Sequence, residues 1–335
     1  VTDLGTLSTN FGKVTYDGVN QTVFSDTYYN LTAGNSSGIK TLGGAVTVAN
    51  DLVINAGVTV DVSSSHDYSI SVGGALENNG TFSAQDGTVI FNGSDNQIFT
   101  PGSSSYYDLT LNNAGDDKLL TIAGDLEVDH DLTLTAGTLD LDTNDPAISI
   151  AGDLAIADGA VWTKGSGTAT FDGVTQSMSD ANNTPNNLGD ALINSTQMTV
   201  TTDATFTSVQ ISLGGKNILN TGRTMAITGA LTITGELEMA DGSVVDAGGD
   251  VTVAGTLDMD GSSRLKMEED LSFSGVMEAS ATSRIDLDGF SLQTISGSTT
   301  PTFNSLFCSS SATVFNLTAT VNDTLDAGGE DFTIS

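Results

Sequence analysis

The chain has 335 residues, 42 of them acidic against 9 basic, and a formal net charge of −33. Cations this sparse exclude a phosphate-binding surface, and with it a nucleic-acid partner, and they argue equally against docking on anionic lipid. No apolar run reaches the length of a membrane helix, and Cys308, the single cysteine, rules out an intrachain disulfide and follows Leu306 and Phe307 as a buried thiol would.

In chain order, the opening VTDLGTLST (1–9) alternates like a strand and lacks the basic and apolar segments of a secretory leader. GKVTYDGVNQTVF (12–24) joins two alternating runs across an Asp-Gly corner, and YYNLT (28–32) follows it. VANDLVINAGVTVDV (48–62), EVDHDLTLTAGTLDLD (127–142), IAGDLAIADGAVW (150–162) and ITGALTITGELEM (227–239) are built alike, from runs of three to six residues between corners rich in Gly, Asp and Asn. Alternation with period two predicts strands, and Gly and Asp accept the turned backbone that corners need.

The opening motif returns as GTVIFNGSDNQIF (87–99) with YYDLT (106–110), and again as GTATFDGVTQSM (167–178) with NNLGDAL (186–192). DGFSLQTI (288–295) with FNSLF (303–307) is a degenerate fourth copy. The motif glutamines are Gln21, Gln97, Gln176 and Gln293, the first three spaced by 76 and 79 residues. Four large repeats are expected, at about 12–86, 87–166, 167–287 and 288–335, the last partial. Pro101, Pro146, Pro185 and Pro301 all fall at junctions, where a missing N–H costs no ladder bond.

Residues 232–291 repeat in coils of 20. Gly235, Gly255 and Gly275 share one column, Leu237, Leu257 and Met277 a second, and Val245, Leu265 and Ile285 a third. Three short strands cannot bury their own apolar face, but stacked coils can. Each strand then pairs in parallel with its equivalent one coil away, at roughly 4.8 Å, and a slip of one residue would turn a core column outward. The pattern predicts an all-β fold, a single-stranded parallel β-helix (β-solenoid) running continuously over 1–335. GGAV (43–46) and GGAL (73–76), thirty residues apart, and the GDL triplets at 124–126 and 152–154, twenty-eight apart, point to some longer coils or to insertions at corners. At roughly 20–28 residues per coil this gives about 12–16 coils.

Candidate chemistry is thin. The motif glutamines are expected to satisfy backbone groups at a Gly corner. Tyr28 and Tyr106 are the candidate sugar-stacking rings, with core packing as the competing role. Asp258 with Asp260, Asp286 with Asp288, and Asp140 with Asp142 place paired carboxylates on one strand face, as glycoside hydrolysis requires, but basic partners are few. Arg264 and Arg284 share a column, which suits a structural ladder better than an active site. His66 and His130 lie in different large repeats without metal-ligand spacing. DLDTNDPA (140–147) offers Asp140, Asp142, Asn144 and Asp145 as calcium ligands, but Asp145 stands where an EF-hand loop needs glycine, and Ala151 where it needs glutamate.

The GDL-strand-Gly-strand units and the stretch FNG…Q…YYDLT…AGDLEVDHDLTLTAGTLDL resemble the repeat regions of large prokaryotic surface proteins, whether adhesin-like, filament-forming or autotransporter-passenger-like. The likeness spans most of residues 12–335. It implies a right-handed parallel β-helix, an extracellular or cell-surface place, and a role in attachment, matrix or coating. Parallel β-helices also serve as polysaccharide lyases and hydrolases, so a polysaccharide-binding module or such an enzyme is the alternative. The expectation is a non-catalytic structural or adhesive rod that requires no cofactor, with calcium the one candidate ion. Its expected partners are further copies joined through the solenoid ends, neighbouring domains of a longer chain, and surface glycans. The alternating termini, VTDLGTLST and LTATVNDTLDAGGEDFTIS, suggest open edges for that joining.

Overall fold

A computed structural model describes residues 11–34, 37–113, 118–309, 312–326 and 331–334, so VTDLGTLST lies outside the described residues. Among them every regular element is a β-strand of two to seven residues. The strands stack in parallel as a β-solenoid of about 15 turns, counted over two compact units, Val1–Gly167 and Thr168–Ser335.

In the first unit the chain passes three sides in turn. One side stacks Lys13–Tyr16, Asn30–Ala33, Leu52–Ile54, Leu76–Asn78, Gln97–Thr100, Leu119–Ile122, Thr138–Asp140 and Val161–Thr163. A second runs from Thr27–Tyr28 through Val46–Val48, Ile70–Val72, Thr88–Phe91, Asp108–Asn112 and Leu132–Ala136 to Leu154–Ile156. The third is split into a four-stranded sheet, Gln21–Val23 to Thr81–Ser83, and the strands Ser105–Tyr106, Leu126–Val128 and Ile148–Ile150. Register sets like upon like: Leu31, Leu52, Leu76 and Phe99 form one buried column. Each such side chain contributes about 1.5–3 kcal/mol by leaving water, which a lone coil could not achieve.

Coil length, read as the spacing of register partners, floats in this unit from 17 residues (Val14 to Leu31) to 24 (Leu52 to Leu76). The 28-residue spacing of the GDL triplets is therefore not a coil. Leu126 pairs with Ile148 on one side, whereas Leu154 pairs with Leu132 on another. GGAV and GGAL are separated in the same way, since Val46 pairs with Ile70 and Leu76 with Leu52. All three corners ask the same of the backbone, so like sequences recur at different corners.

In the second unit the coils over 232–291 keep a spacing of 20. Leu237, Leu257 and Met277 are in register, as are Val245, Leu265 and Ile285. All are buried except Met277, which is half-buried. The glycine column has a steric cause. A Cβ on Gly255 would lie 2.0 Å from the carbonyl oxygen of Gly235, and one on Gly275 2.0 Å from that of Gly255. Adjacent coils touch there backbone to backbone, and no side chain fits. Past Val276–Ala279 the described strands occupy only two sides, alternating from Arg284–Leu287 to Asp331–Ile334. The residues that would supply the third side at the next coil, Ser298 to Pro301, end in a proline without a ladder donor.

Candidate functional site

The motif glutamines form a clasp. Gln97 is 1 % exposed; its Oε1 accepts the N–H of Gly93 (3.3 Å), and its Nε2 donates to the carbonyls of Val72 (2.9 Å) and Gly74 (2.8 Å) in the coil before it. Gln293 repeats this with Gly289 N–H (3.2 Å) and the carbonyls of Met267 (3.0 Å) and Glu269 (2.9 Å). Gln176 accepts from Gly173 N–H (2.9 Å) and from the Ser195 hydroxyl, and Gln21 from Gly18 N–H (2.7 Å). The side chain thus closes its own corner and ties it to the neighbouring coil. The clasp does not belong to one side: in the first unit Tyr16 and Phe91, which open the two copies, lie in different sheets. The residue after the clasped glycine points to solvent, leaving Val19, Val174 and Phe290 among the exposed large apolar residues.

The corner aspartates form a second device, which the sequence reading missed. A carboxylate of one coil accepts a backbone N–H of the next. Asp51 takes that of Ala75 (2.9 Å), Asp125 that of Ala147 (2.9 Å), Asp145 that of Ser166 (2.6 Å), Asp203 that of Thr224 (3.0 Å) and Asp241 that of Ser262 (2.7 Å). Asp108 accepts from Asp131 (3.2 Å), which accepts from Asp153 (2.8 Å). These donors lie where the chain leaves the ladder and would otherwise be orphaned. The bond from Ser262 N–H holds the Asp241 carboxyl below the usual carboxylate range. The available signal was an Asp recurring at corners about one coil apart.

Tyr28 and Tyr106 are not sugar platforms. They are 1 % and 0 % exposed, and burial pushes both phenols upward. The Tyr28 hydroxyl pairs with that of Tyr16 (2.8 Å) and with the Phe24 carbonyl (2.8 Å). The Tyr106 hydroxyl donates to the Pro101 carbonyl (3.0 Å) and its ring stacks on Phe82. Alternation turns the second tyrosine of each pair outward instead. Tyr29 meets Phe11 edge-on, and Tyr107 stacks on His130 with centroids 4.5 Å apart.

His130 is therefore not a merely solvated corner residue. Its Nδ1 lies 2.7 Å from Asp108 Oδ1 and 3.6 Å from Asp131 Oδ2, and the Asp108 hydrogen bond raises its pKa from the ordinary 6.5. Asp108, His130 and Asp131 are close enough to share a cation, but the Nδ1 contact is a hydrogen bond within the group. Among the described residues no hydroxyl or thiol hydrogen-bonds this imidazole.

The calcium candidates do not converge. Asp140 is buried, which alone would favour its neutral acid. Hydrogen bonds from the Thr143 and Thr121 hydroxyls and the N–H groups of Thr143 and Asp142 outweigh that and hold its carboxyl low. Asn144 Nδ2 donates to the Ile122 carbonyl, Asp145 caps Ser166, and Asp142 is exposed. Together they fold a turn.

The paired carboxylates of the second unit sit in charge ladders. Asp286 is held between Arg264 and Arg284, and the Arg284 guanidinium lies 4.1 Å over the Phe307 ring. Lys266 bridges Asp246 (3.0 Å) and Asp288 (3.2 Å). Lys216 bridges Glu236 (2.7 Å) and Glu238 (2.6 Å), which raise its pKa. Burial, then Asp260 and Glu278, raise that of Asp258, which stands in register between Glu238 and Glu278. Cys308 is buried, and burial pushes its thiol up. No protein-family model, curated protein or solved structure matches this chain.

Proposed function

We propose that the chain is a non-catalytic structural and adhesive scaffold of the cell surface or extracellular matrix, with copies joining end to end into a filament. The observation that carries this reading is where the recurrent polar residues go. Gln97 and Gln293 clasp one coil to another, and corner aspartates cap the next coil's N–H groups. A sequence that repeats such devices is organised to extend a stack. Two of the three carboxylate pairs that an enzyme of this architecture would use have other partners, Asp286 between two guanidinium groups and Asp140 within a turn. The resemblance to repeat regions of prokaryotic surface proteins supports the surface placement.

Negative-stain imaging and sedimentation of the native full chain, across salt and calcium concentrations, test the reading. Extended assemblies with an axial repeat set by whole chains are expected. A monodisperse monomer under every condition would remove the filament.

A further inference from the structure

We infer that a groove along one corner of the first unit binds a neutral oligosaccharide. This rests on the adhesive half of the reading above and supplies its ligand class. The groove encloses about 520 Å³, within the range of small-molecule sites. It is lined by the corners of four successive coils, beginning at Tyr29, continuing through Asn50 and Asp51 and through Gly73 to Ala75, and ending at Asn92 to Asn96 with Ile98. Three coil steps make it about 14 Å long, enough for a short chain of sugars rather than one ring.

Two glycines in the lining bring successive coils into close contact. Gly73 and Gly74 let two corners meet: a Cβ on Gly73 would lie 2.5 Å from the Ala49 carbonyl oxygen, and one on Gly74 2.6 Å from Asp51 Oδ1. The walls differ in kind. Tyr29 stands at one end with its ring partly exposed, and Ile98, an exposed apolar side chain, at the other. Between them the polar groups are held in place. Asn50 Nδ2 donates to Asn30 Oδ1 (2.8 Å), Asp51 Oδ1 accepts from Ala75 N–H (2.9 Å), and Asn96 Oδ1 accepts from Leu119 N–H (3.2 Å). Each keeps further donor or acceptor capacity for hydroxyl groups.

Charge selects among glycans. Asp51 and Asp95 line the groove; Lys118 lies 4.0 Å from Asp95, and Lys13 lines an adjoining depression that meets the groove at Asp51. The two carboxylates, with no Lys or Arg among the lining residues, and the chain's net charge of −33 repel polyanions. An aromatic wall with fixed amides and carboxylates suits the apolar faces and hydroxyl edges of neutral sugars. It does not suit uronate or sulfated chains.

The test is isothermal titration of the full chain with cello-, xylo-, malto- and mannohexaose, and with oligogalacturonate as the acidic control. At least one neutral hexamer is expected to bind, with affinity falling tenfold or more in Tyr29→Ala. It should also fall in Asp95→Ala, whose side chain is 92 % exposed and carries no packing. Tyr107→Ala, outside the groove, should bind as wild type, and oligogalacturonate should not bind. Binding of none of the neutral hexamers, or equal binding by wild type and both groove variants, overturns the inference. Filaments without glycan binding sink the groove alone, whereas binding by a strict monomer sinks the filament alone.

Discussion

Replacing Gln97 by Leu keeps the volume of the clasp and removes its chemistry. The variant leaves the Gly93 N–H and the Gly74 carbonyl without their partner and the Val72 carbonyl with the Asn92 N–H alone, in a place where Gln97 itself is 1 % exposed. A net hydrogen bond is worth about 1 kcal/mol, and a buried group left unpaired costs about 1–3 kcal/mol. Two such groups, with the further bond lost at Val72 and partial relaxation allowed for, predict a loss of about 3 kcal/mol. Global unfolding is a poor measure, since a stack of coils in contact only with neighbours need not unfold in one step. Native-state hydrogen exchange in Ile70–Val72 and Gln97–Thr100 reads the local value, and 3 kcal/mol corresponds to exchange faster by on the order of 100-fold. Gln21→Leu is the internal control, because Gln21 is half-exposed and makes one such bond, so it should cost under about 1 kcal/mol. Equal effects at the two positions, or a Gln97→Leu protein within about 0.5 kcal/mol of wild type, would refute the clasp.

Asp286→Ala leaves Arg264 and Arg284 adjacent in register with no carboxylate between them, so a loss of about 3 kcal/mol, partly recovered in high salt, is expected in chemical denaturation. His130 has its pKa raised by Asp108, so its contribution is fully present below the ordinary value of 6.5 and is lost as pH rises through the folded-state value. NMR titration should show the His130 pKa falling in Asp108→Asn; no change would disprove the coupling. Phe290→Ser should leave the melting temperature within error, because that ring is 94 % exposed, whereas Phe303→Ala should cost about 3–5 kcal/mol.

Coil length was legible only where it is constant. Over 232–291 every register step is 20 residues, so the column of Gly235, Gly255 and Gly275 is plain in the sequence. In the first unit the corners absorb insertions, so spacing drifts from 17 to 24 while corner sequences stay alike. Likeness between GDL triplets then marks likeness of corners, not of coils. The tyrosine pairs left core packing and sugar stacking both open for another reason. Two identical residues carry no alternation phase, and only register with Val48 and Val128 shows that Tyr28 and Tyr106 face inward. The stack of Tyr107 on His130 joins residues 23 positions apart and became visible only once the coil length there was known.

The acidic composition has a structural source that charge counting alone misses. At recurrent corners a backbone N–H leaves the ladder and is received by a side chain of the preceding coil. Asparagine can fill this role, as Asn20 does for Ile39 and Asn96 for Leu119. Aspartate gives the stronger, charge-assisted bond. The consequence is like charge stacked along the corners, as where Asp108, Asp131 and Asp153 follow one another. That repulsion is screened by salt, whereas the hydrogen bonds are short-ranged and persist. The fold should therefore gain stability with ionic strength, opposite to the behaviour of a chain held together by surface ion pairs. A melting temperature that falls steadily from low salt to 1 M sodium chloride would show that the corner carboxylates are not the dominant electrostatic term.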